Sequence, residues 1–203
     1  MRFVQARGKP RLSGGITSLS WDRNDNLWVT QDGVIYELPS GGKPVPIQYT
    51  GTVTDLAVAP DGVRLAFIVQ GLRGTSMLEL AAIGGAGTPS GVELGSPTEH
   101  QQIKPAAAIG PGLAQPASVA WYDADDLLVV NDAPTGNTLM EVPVDGQQPV
   151  PEYTPQGLTS ITADGHANVL VAGLSGSNLA VSTSLEGPWY QLGDQGQSPA
   201  YPG

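Results

Sequence analysis

Apolar and polar residues follow one pattern four times along this chain. In each copy, a short run of alternating apolar and polar residues leads into an Asp-rich turn, and a second apolar run follows. The copies lie at residues 16–30, 53–69, 117–130 and 158–172. Because successive side chains of a pleated strand point to opposite sides, each copy predicts a β-hairpin with one buried face.

Two repeat positions are apolar in every copy, and this regularity is typical of a repeat fold. The first position holds Leu19, Leu56, Val119 and Ile161, and the second holds Leu27, Leu65, Leu127 and Val169. Strict alternation in the first copy predicts that Ile16 shares a face with Ser18 and Ser20. Leu19 and Trp21 are then expected on the opposite face.

A third strand is predicted after three of the hairpins, at residues 34–39, 76–82 and 138–144. The three segments share an apolar–Glu–apolar core, namely Tyr36-Glu37-Leu38, Leu78-Glu79-Leu80 and Met140-Glu141-Val142. The fourth copy offers only the weaker segment 178–184. Residues 42–46 and 146–151 predict a fourth strand at a sheet edge, since their prolines lack the N–H that a central strand donates.

Four strands in a repeat of roughly 40 residues make the blade of a β-propeller. The chain is therefore predicted to be all-β, a propeller segment of about four four-stranded antiparallel blades in an incomplete ring. The predicted blades are residues 16–52, 53–116, 117–157 and 158–203, with an insertion inside 84–115. Residues 1–15 are expected to be a remnant of a preceding blade or a tail. A closed four-bladed ring and a two-sheet sandwich are the alternatives.

The formal net charge is −10, and it is unevenly distributed. Residues 105–203 contain ten carboxylates and no Lys or Arg. Such a half repels phosphate groups, which argues against nucleic acid as a partner and against direct adsorption to anionic lipid. Its acidic surface either maintains solubility or complements a basic protein. Asp123, Asp125 and Asp126 are the candidate partner-binding residues.

The chain has no cysteine, so disulfides, thiolate metal sites and cysteine catalysis are excluded, as is a lipidation cysteine within these residues. Phe3 and Val4 are followed at once by polar and charged residues, so no signal peptide is predicted. No apolar run approaches the ~20 residues that span a bilayer, and this segment is not expected to insert into a membrane.

The motifs that resemble catalytic or cofactor sites are incomplete. His100 and His166 are expected in exposed loops. The segment 173–177, GLSGS, has Ser177 where a nucleophile elbow needs Gly, and no helix pattern follows it. Gly85-Ala86-Gly87 precedes no helix that could face a phosphate. No catalytic or cofactor-binding residue is therefore predicted.

The carboxylates in the turns are interpreted as structural. Asp22, Asn24 and Asn26 imitate the start of a calcium loop, but Leu27 stands where that loop has Gly and Gly33 where it has Glu. An Asx-rich hairpin turn is the preferred interpretation, and no metal ligand is predicted.

The four tryptophans are expected in packing roles. Trp21 and Trp121 occupy a repeat position that holds Val58 and Ala163 in the other copies, which favours inter-blade packing over a stacking site. Trp28 and Trp189 have no repeat partners, and core or edge packing is expected for both.

Taken together, the motifs resemble the C-terminal propeller domain of the actinobacterial lipoprotein LpqB family. The segments that carry the resemblance are LSWDRNDNLWV, GVIYELP, VTDLAVAPDGVRLAFIV, SVAWYDADDLLVV, LMEVPVDG and the terminal PAYPG. It covers residues 16–203. The turn Ala59-Pro60-Asp61-Gly62 and the strand after it also resemble blades of TolB-like propellers.

The resemblance implies a non-enzymatic cell-envelope protein that is lipid-anchored at the outer face of the cytoplasmic membrane. It also implies an accessory role in two-component signalling of the MtrA–MtrB type, through the extracellular domain of the sensor histidine kinase. The family's N-terminal domain and first blades have no counterpart here, so a fragment or a truncated gene product is expected. No cofactor is implied.

An enzyme of the lactonase or gluconolactonase type is the alternative function. Propellers of that type hold a divalent metal in the central channel by carboxylate and amide ligands. Asp32, Asp55, Asp132 and Glu141 are the side chains that would have to converge there.

Overall fold

Four antiparallel sheets form the described part of the chain, residues 15–47, 49–71, 74–83 and 106–195 of the computed structural model. The first sheet has the order β1 (Ile16–Trp21), β2 (Leu27–Gln31), β3 (Val34–Leu38), β4 (Val45–Pro46). The second has the order β5 (Thr52–Val58), β6 (Arg64–Gln70), β7 (Ser76–Ala82), β8 (Ala107–Ala108).

The other two sheets repeat this arrangement. The third has the order β9 (Pro116–Trp121), β10 (Asp126–Asn131), β11 (Thr138–Pro143), β12 (Val150–Pro151). The fourth has the order β13 (Leu158–Ala163), β14 (Leu170–Leu174), β15 (Asn178–Ser182), β16 (Tyr190–Gln195). The first strands of neighbouring sheets lie side by side, β1 with β5, β5 with β9 and β9 with β13.

This arrangement is an open β-propeller of four blades, which confirms the predicted fold. No α-helix occurs within the described ranges. The prolines Pro46 and Pro151 lie in the outermost strands β4 and β12, as their missing N–H requires. Of the predicted insertion, only residues 106–115 are described, and they contain β8. The predicted remnant at residues 1–15 lies outside the described residues except for Gly15.

Hydrophobic cores fill the space between neighbouring blades. Trp28 and Ile35 of the first blade meet Leu56 and Phe67 of the second. Trp121 and Val129 of the third blade belong to a core with residues of the second. A third core joins the third and fourth blades. The stability of each blade therefore depends on the faces of its neighbours.

A β-bulge interrupts each inner strand at the same repeat position. The register shifts at Thr17, Thr54 and Ala117, and again at Thr159, where two residues oppose one on the second strand. Thr54 and Thr159 donate their hydroxyls to the carbonyls of Ile68 and Gly173 on those second strands.

The bulge corrects the predicted facing of Ile16. Ile16 pairs with Gln31 and Leu19 pairs with Val29, so both lie on one face, opposite to Ser18, which pairs with Thr30. Strict alternation placed Ile16 with Ser18, and the extra residue Thr17 reverses that assignment.

The proposed equivalence of the third strands is also wrong by one residue in the second blade. Through the pairing of the strands, Leu38 is equivalent to Ala81 and Val142, which makes Glu37 equivalent to Leu80 and Glu141. Glu79 therefore points to the face opposite that of Glu37 and Glu141, and its Oε2 accepts a 2.8 Å hydrogen bond from Tyr49 Oη. A one-residue slip moves a side chain to the other face of a sheet.

The hairpin turns are stabilised by Asp side chains. In each turn, an Asp Oδ1 accepts the backbone N–H two residues later, and the four residues that do so are Asp22, Asp61, Asp123 and Asp164. This confirms the interpretation of the Asp-rich segments as Asx turns.

Asp22 is the one buried residue among these four, and only 6% of it is exposed. Its Oδ1 accepts the N–H groups of Asn24 and Asn26, and its Oδ2 accepts Asn26 Nδ2 and the Trp28 indole Nε1. The neighbouring Glu37 is also buried, and burial together with the Asp22 charge raises the pKa of Glu37. Asp22 therefore anchors Trp28 in the first inter-blade core.

We expect Asp22→Ala to lower the free energy of unfolding by roughly 2–4 kcal/mol, because the buried Trp28 N–H and turn amides lose their acceptor. Asp164→Ala is the matched control, since the hydrogen bonds that it accepts from the N–H groups of His166 and Asn168 are exposed. The control should cost less than about 1 kcal/mol. Urea unfolding followed by tryptophan fluorescence measures both, and equal losses would contradict the assigned role of Asp22.

Candidate functional site

A central cavity of about 1010 Å³ is lined by residues of all four inner strands. Turn residues at its rim include Arg23, Asp164 and His166. The wall is rich in hydroxyl groups, because three of the four inner strands carry Thr at the bulge and three carry Ser at the position after it. A propeller of the lactonase or gluconolactonase type, the alternative function, would hold its metal ion in this central cavity.

The polar residues of the wall join one blade to the next. Ser18 Oγ accepts the backbone N–H of Leu56 at 3.2 Å, and the equivalent Ser118 Oγ accepts that of Ile161 at 3.3 Å. Between the second and third blades the acceptor is Asp55, whose Oδ2 accepts the N–H of Val119 at 2.9 Å. We call Ser18, Asp55 and Ser118 the inter-blade acceptors.

Asp55 is the one charged inter-blade acceptor, and it contacts three blades. Its Oδ1 accepts the N–H of Leu56 at 3.0 Å, and Ser18 and Ser118 also hydrogen-bond to it. Burial raises the pKa of Asp55, although these hydrogen bonds and that of Val119 act in the opposite direction. With its oxygens committed to these donors, this carboxylate serves blade assembly.

The four side chains named for a channel metal do not converge. Asp55 alone lines the cavity, whereas Asp32, Asp132 and Glu141 do not. Asp32 lies in the β2–β3 turn with φ +52°, Asp132 follows β10, and Glu141 belongs to β11. Within the described ranges, no three His, Asp or Glu side chains lie close enough together to hold one metal ion.

The other candidate motifs have structural surroundings. His166 is an exposed turn residue as predicted, and its Nδ1 lies 2.8 Å from the carbonyl oxygen of Asp164. Ser175 lies in the turn between the antiparallel strands β14 and β15, which is not the strand-to-helix turn of a nucleophile elbow. His100 and Gly85-Ala86-Gly87 lie outside the described residues.

Three of the four tryptophans have the expected packing roles. Trp121 is 3% exposed and donates Nε1 to Ala57 O of the second blade. Trp28 is buried in the first inter-blade core. Trp189 packs against the third inter-blade core, and its Nε1 donates to the carbonyl oxygen of Tyr153. Trp21 differs because it is 40% exposed.

The predicted partner-binding residues belong to a larger group of carboxylates on the third blade. Burial is the first cause of the raised pKa values of Asp126, Glu141 and Tyr122. Repulsion from the neighbouring carboxylates raises these three pKa values further. We call the group the acidic patch, and it comprises Asp123, Asp125, Asp126, Glu141, Asp145 and Glu152. Asp123, Asp125 and Asp126 were predicted from the sequence. Glu141, Asp145 and Glu152 are distant from them in the sequence, and strand pairing brings them close.

Arg64 is a cation that lies beside the acidic patch. Its Nη2 donates to Ala124 O at 2.6 Å, and its Nε forms a 2.7 Å ion pair with Asp61. Its guanidinium also lies 4.8 Å from the ring centroid of Trp121. Because Asp61 already pairs with Arg64, the acidic patch keeps a strong excess of negative charge.

We expect Asp55→Asn to remove a pH-dependent part of the stability. The folded pKa of Asp55 is raised, so the folded state holds this proton more tightly than the unfolded state. Stability from this group is therefore lost as pH rises from the unfolded pKa of about 4 through the raised folded pKa. Urea unfolding across this pH window compares Asp55→Asn with the exposed control Asp132→Asn. Parallel profiles for both variants and the unmodified chain would refute the expectation.

We expect Asp125→Asn to stabilise the protein at pH 7 by less than about 1 kcal/mol, because it relieves repulsion at an exposed position of the acidic patch. The charge of Asp125 is one cause of the raised pKa of Asp126, so that pKa should fall. Chemical unfolding at low and high salt measures the gain, which should shrink as salt screens the charges. A loss of stability at low salt would contradict this account.

Comparison with solved structures shows the propeller fold. The protein of Agrobacterium tumefaciens assigned as TolB matches 90% of this chain with a TM-score of 0.64 at 13% identity. The propeller domain of Cps50 (Swd1) from Myceliophteria thermophila matches 87% with a TM-score of 0.59 at 14% identity. The tricorn protease matches 89% with a TM-score of 0.55 at 13% identity.

The chain is shorter than the proteins that it matches. It spans 63% of the TolB structure, 54% of the Cps50 domain and 17% of the tricorn protease. No curated protein matches its sequence. The family model of the lipoprotein LpqB β-propeller domain matches residues 5–202. With the repeated hairpins, the four blades and this match over nearly its full length, the chain belongs to the LpqB β-propeller domain family.

Proposed function

We propose that this chain is a non-enzymatic interaction module of the cell envelope. In this proposal it is the propeller part of a lipid-anchored protein and acts as an accessory to a two-component sensor kinase of the MtrA–MtrB type. The family match over residues 5–202 carries the proposal, because the family is named for a lipoprotein. The parent's anchor would hold the propeller at the outer face of the cytoplasmic membrane.

The use of the cavity's polar groups supports a binding role over catalysis. Three inter-blade acceptors in the wall are engaged with backbone N–H groups of neighbouring blades. Asp55 is the one member of the candidate metal set that reaches the cavity, and its carboxylate oxygens accept hydrogen bonds. The hydrolase alternative therefore gains no support from the arrangement of these residues.

The acidic patch supplies the contact surface in this proposal. Burial, and after it repulsion from neighbouring carboxylates, raises the pKa values of Asp126 and Glu141, and a basic partner surface would relieve that repulsion. Within the described ranges, no helix is long and apolar enough to cross a membrane. In the proposal, the parent's lipid anchor supplies attachment and the propeller supplies recognition.

Binding kinetics between this chain and the purified extracellular domain of the sensor kinase test the proposal. We expect association to slow as salt rises, because salt screens exposed charges beyond ~8 Å at physiological ionic strength. The triple variant Asp123→Asn, Asp125→Asn, Asp126→Asn should lower the on-rate several-fold, within the roughly 1–3 decades over which interface mutants vary. Asn at position 123 retains an oxygen for the Asx turn.

The matched control neutralises three other carboxylates, with Asp32→Asn, Asp132→Asn and Glu186→Gln. These side chains are exposed and lie outside the acidic patch, and the change in net charge is the same. Equal effects of the two triple variants would refute the acidic patch as the contact. No binding at high micromolar concentration would refute the kinase domain as the partner.

A further inference from the structure

Two aromatic side chains from different blades meet at the surface where the third and fourth blades join. Tyr153 follows β12 of the third blade and is 61% exposed. Trp189 precedes β16 of the fourth blade, is half-buried, and donates its Nε1 to the carbonyl oxygen of Tyr153 at 3.3 Å. We call Tyr153 and Trp189 the aromatic pair. The hydrogen bond joins the two residues although 36 positions separate them in the chain.

A glycine gives the Tyr153 ring room to lie against the fourth blade. Gly187 has φ +76°, and a Cβ at this position would lie 3.2 Å from Tyr153 Cδ1 and 3.4 Å from its Cε1. A larger residue would therefore crowd the ring, and the backbone conformation itself favours glycine. Leu185 and Trp189 pack against the core between the third and fourth blades. The aromatic pair is thus fixed by contacts within the chain.

The aromatic pair lies at a junction of which both blades are described. Trp189 packs towards the third blade, through the core that the two blades share. Tyr190, the next residue, pairs with Val181 at one end of β15, whereas Gln195 pairs with Asn178 at the other end. The aromatic pair is therefore separate from the outer faces of the first and fourth blades and from the far end of β16.

Negative charge borders the aromatic pair on the side of the third blade. Glu152 of the acidic patch immediately precedes Tyr153, and its side chain hydrogen-bonds to that of Glu141. Residues 105–203 contain no Lys or Arg, so the third and fourth blades supply no cation of their own. A cation beside these groups is attracted both by the negative face of an aromatic ring and by the carboxylates.

The chain itself shows how a cation can use such a surface. The Arg64 guanidinium lies 4.8 Å from the centroid of the Trp121 ring, its Nε pairs with Asp61, and its Nη2 donates to Ala124 O. One side chain thus uses a ring, a carboxylate and a carbonyl at the same time. A planar guanidinium stacks on rings and binds carboxylates as a fork, which the compact ammonium of Lys does not.

We propose that the aromatic pair binds an arginine side chain of a basic partner protein, with Tyr153 supplying the ring face and Glu152 the carboxylate. The acidic patch attracts the basic surface to the third blade, and the aromatic pair selects Arg over Lys. Arg and aromatic residues are enriched among the residues that dominate interface energies. The proposal rests on the interaction role proposed above, but it does not depend on the sensor kinase as the partner.

Binding of two fluorescent peptides, hexa-arginine and hexa-lysine, tests the site. Their charges are equal, so the acidic patch attracts both, whereas the ring favours guanidinium. We expect the unmodified chain to bind hexa-arginine more tightly. Tyr153→Leu should weaken hexa-arginine binding by about 2- to 5-fold, as loss of a cation–π contact at an exposed site does, and should affect hexa-lysine less. Fluorescence anisotropy at low salt measures all four affinities.

Matched variants and one spectroscopic signal locate the contact. Tyr153→Phe keeps the ring and should bind both peptides as the unmodified chain does. Tyr190→Leu removes a ring that is 64% exposed and lies outside the aromatic pair, and it should also leave binding unchanged. The indole N–H signal of Trp189 in an NMR spectrum is identified by its loss in Trp189→Phe. Hexa-arginine should shift this signal more than those of the buried Trp28 and Trp121.

Several results would overturn the proposal. These are equal affinities of the unmodified chain for the two peptides, equal hexa-arginine binding by Tyr153→Leu and Tyr153→Phe, and an equal loss in Tyr190→Leu. A neutral proline-rich peptide or oligosaccharide that shifts the Trp189 signal at a lower concentration than hexa-arginine would assign the aromatic pair to another ligand.

The same measurements separate this proposal from that of the sensor kinase. Hexa-arginine binding that depends on Tyr153, without binding of the kinase domain, would refute the kinase as partner and support the arginine site. Kinase binding that Tyr153→Leu leaves unchanged, together with equal binding of the two peptides, would refute the arginine site alone.

Discussion

The packing of one inner strand against the next is the contact on which the whole structure depends. Each contact combines an apolar core with a hydrogen bond from a backbone N–H to a short side chain, as between Leu56 and Ser18. The bulge before each inter-blade acceptor sets which face the strand's apolar residues occupy. Because each blade buries its faces against a neighbour, the stability of the array depends on the interfaces between adjacent blades.

The same contact accounts for the polar side chains of the cavity wall. Ser18, Asp55 and Ser118 line it, but their oxygens receive N–H groups of adjacent blades. The excess negative charge gathers instead on the third blade, where strand pairing brings Glu141 and Glu152 beside the Asp-rich turn. The fold thus separates a structural interior from a charged exterior.

Local pattern in the sequence predicted the hairpins, the Asx turns and the proline-containing edge strands, because strand periodicity and turn chemistry are local properties. It misplaced Ile16, the equivalence of Glu79 and that of Val169, whose repeat position is held by Leu170. Each error comes from one extra residue, in a bulge or in a connecting turn. The inter-blade acceptors were overlooked, although Ser or Asp precedes the first apolar repeat position in all four copies. That recurrence was the signal available in the sequence.

By itself the sequence determined that this protein is a repeated array of four antiparallel blades with an acidic second half, because these follow from period, turn residues and composition. Only the tertiary structure decided which repeats are covered. Leu19 and Leu56 are the same residue at the same repeat position, yet they are 42% and 2% exposed. Leu56 packs against residues of the first blade, and no local pattern encodes the burial that such a distant partner provides.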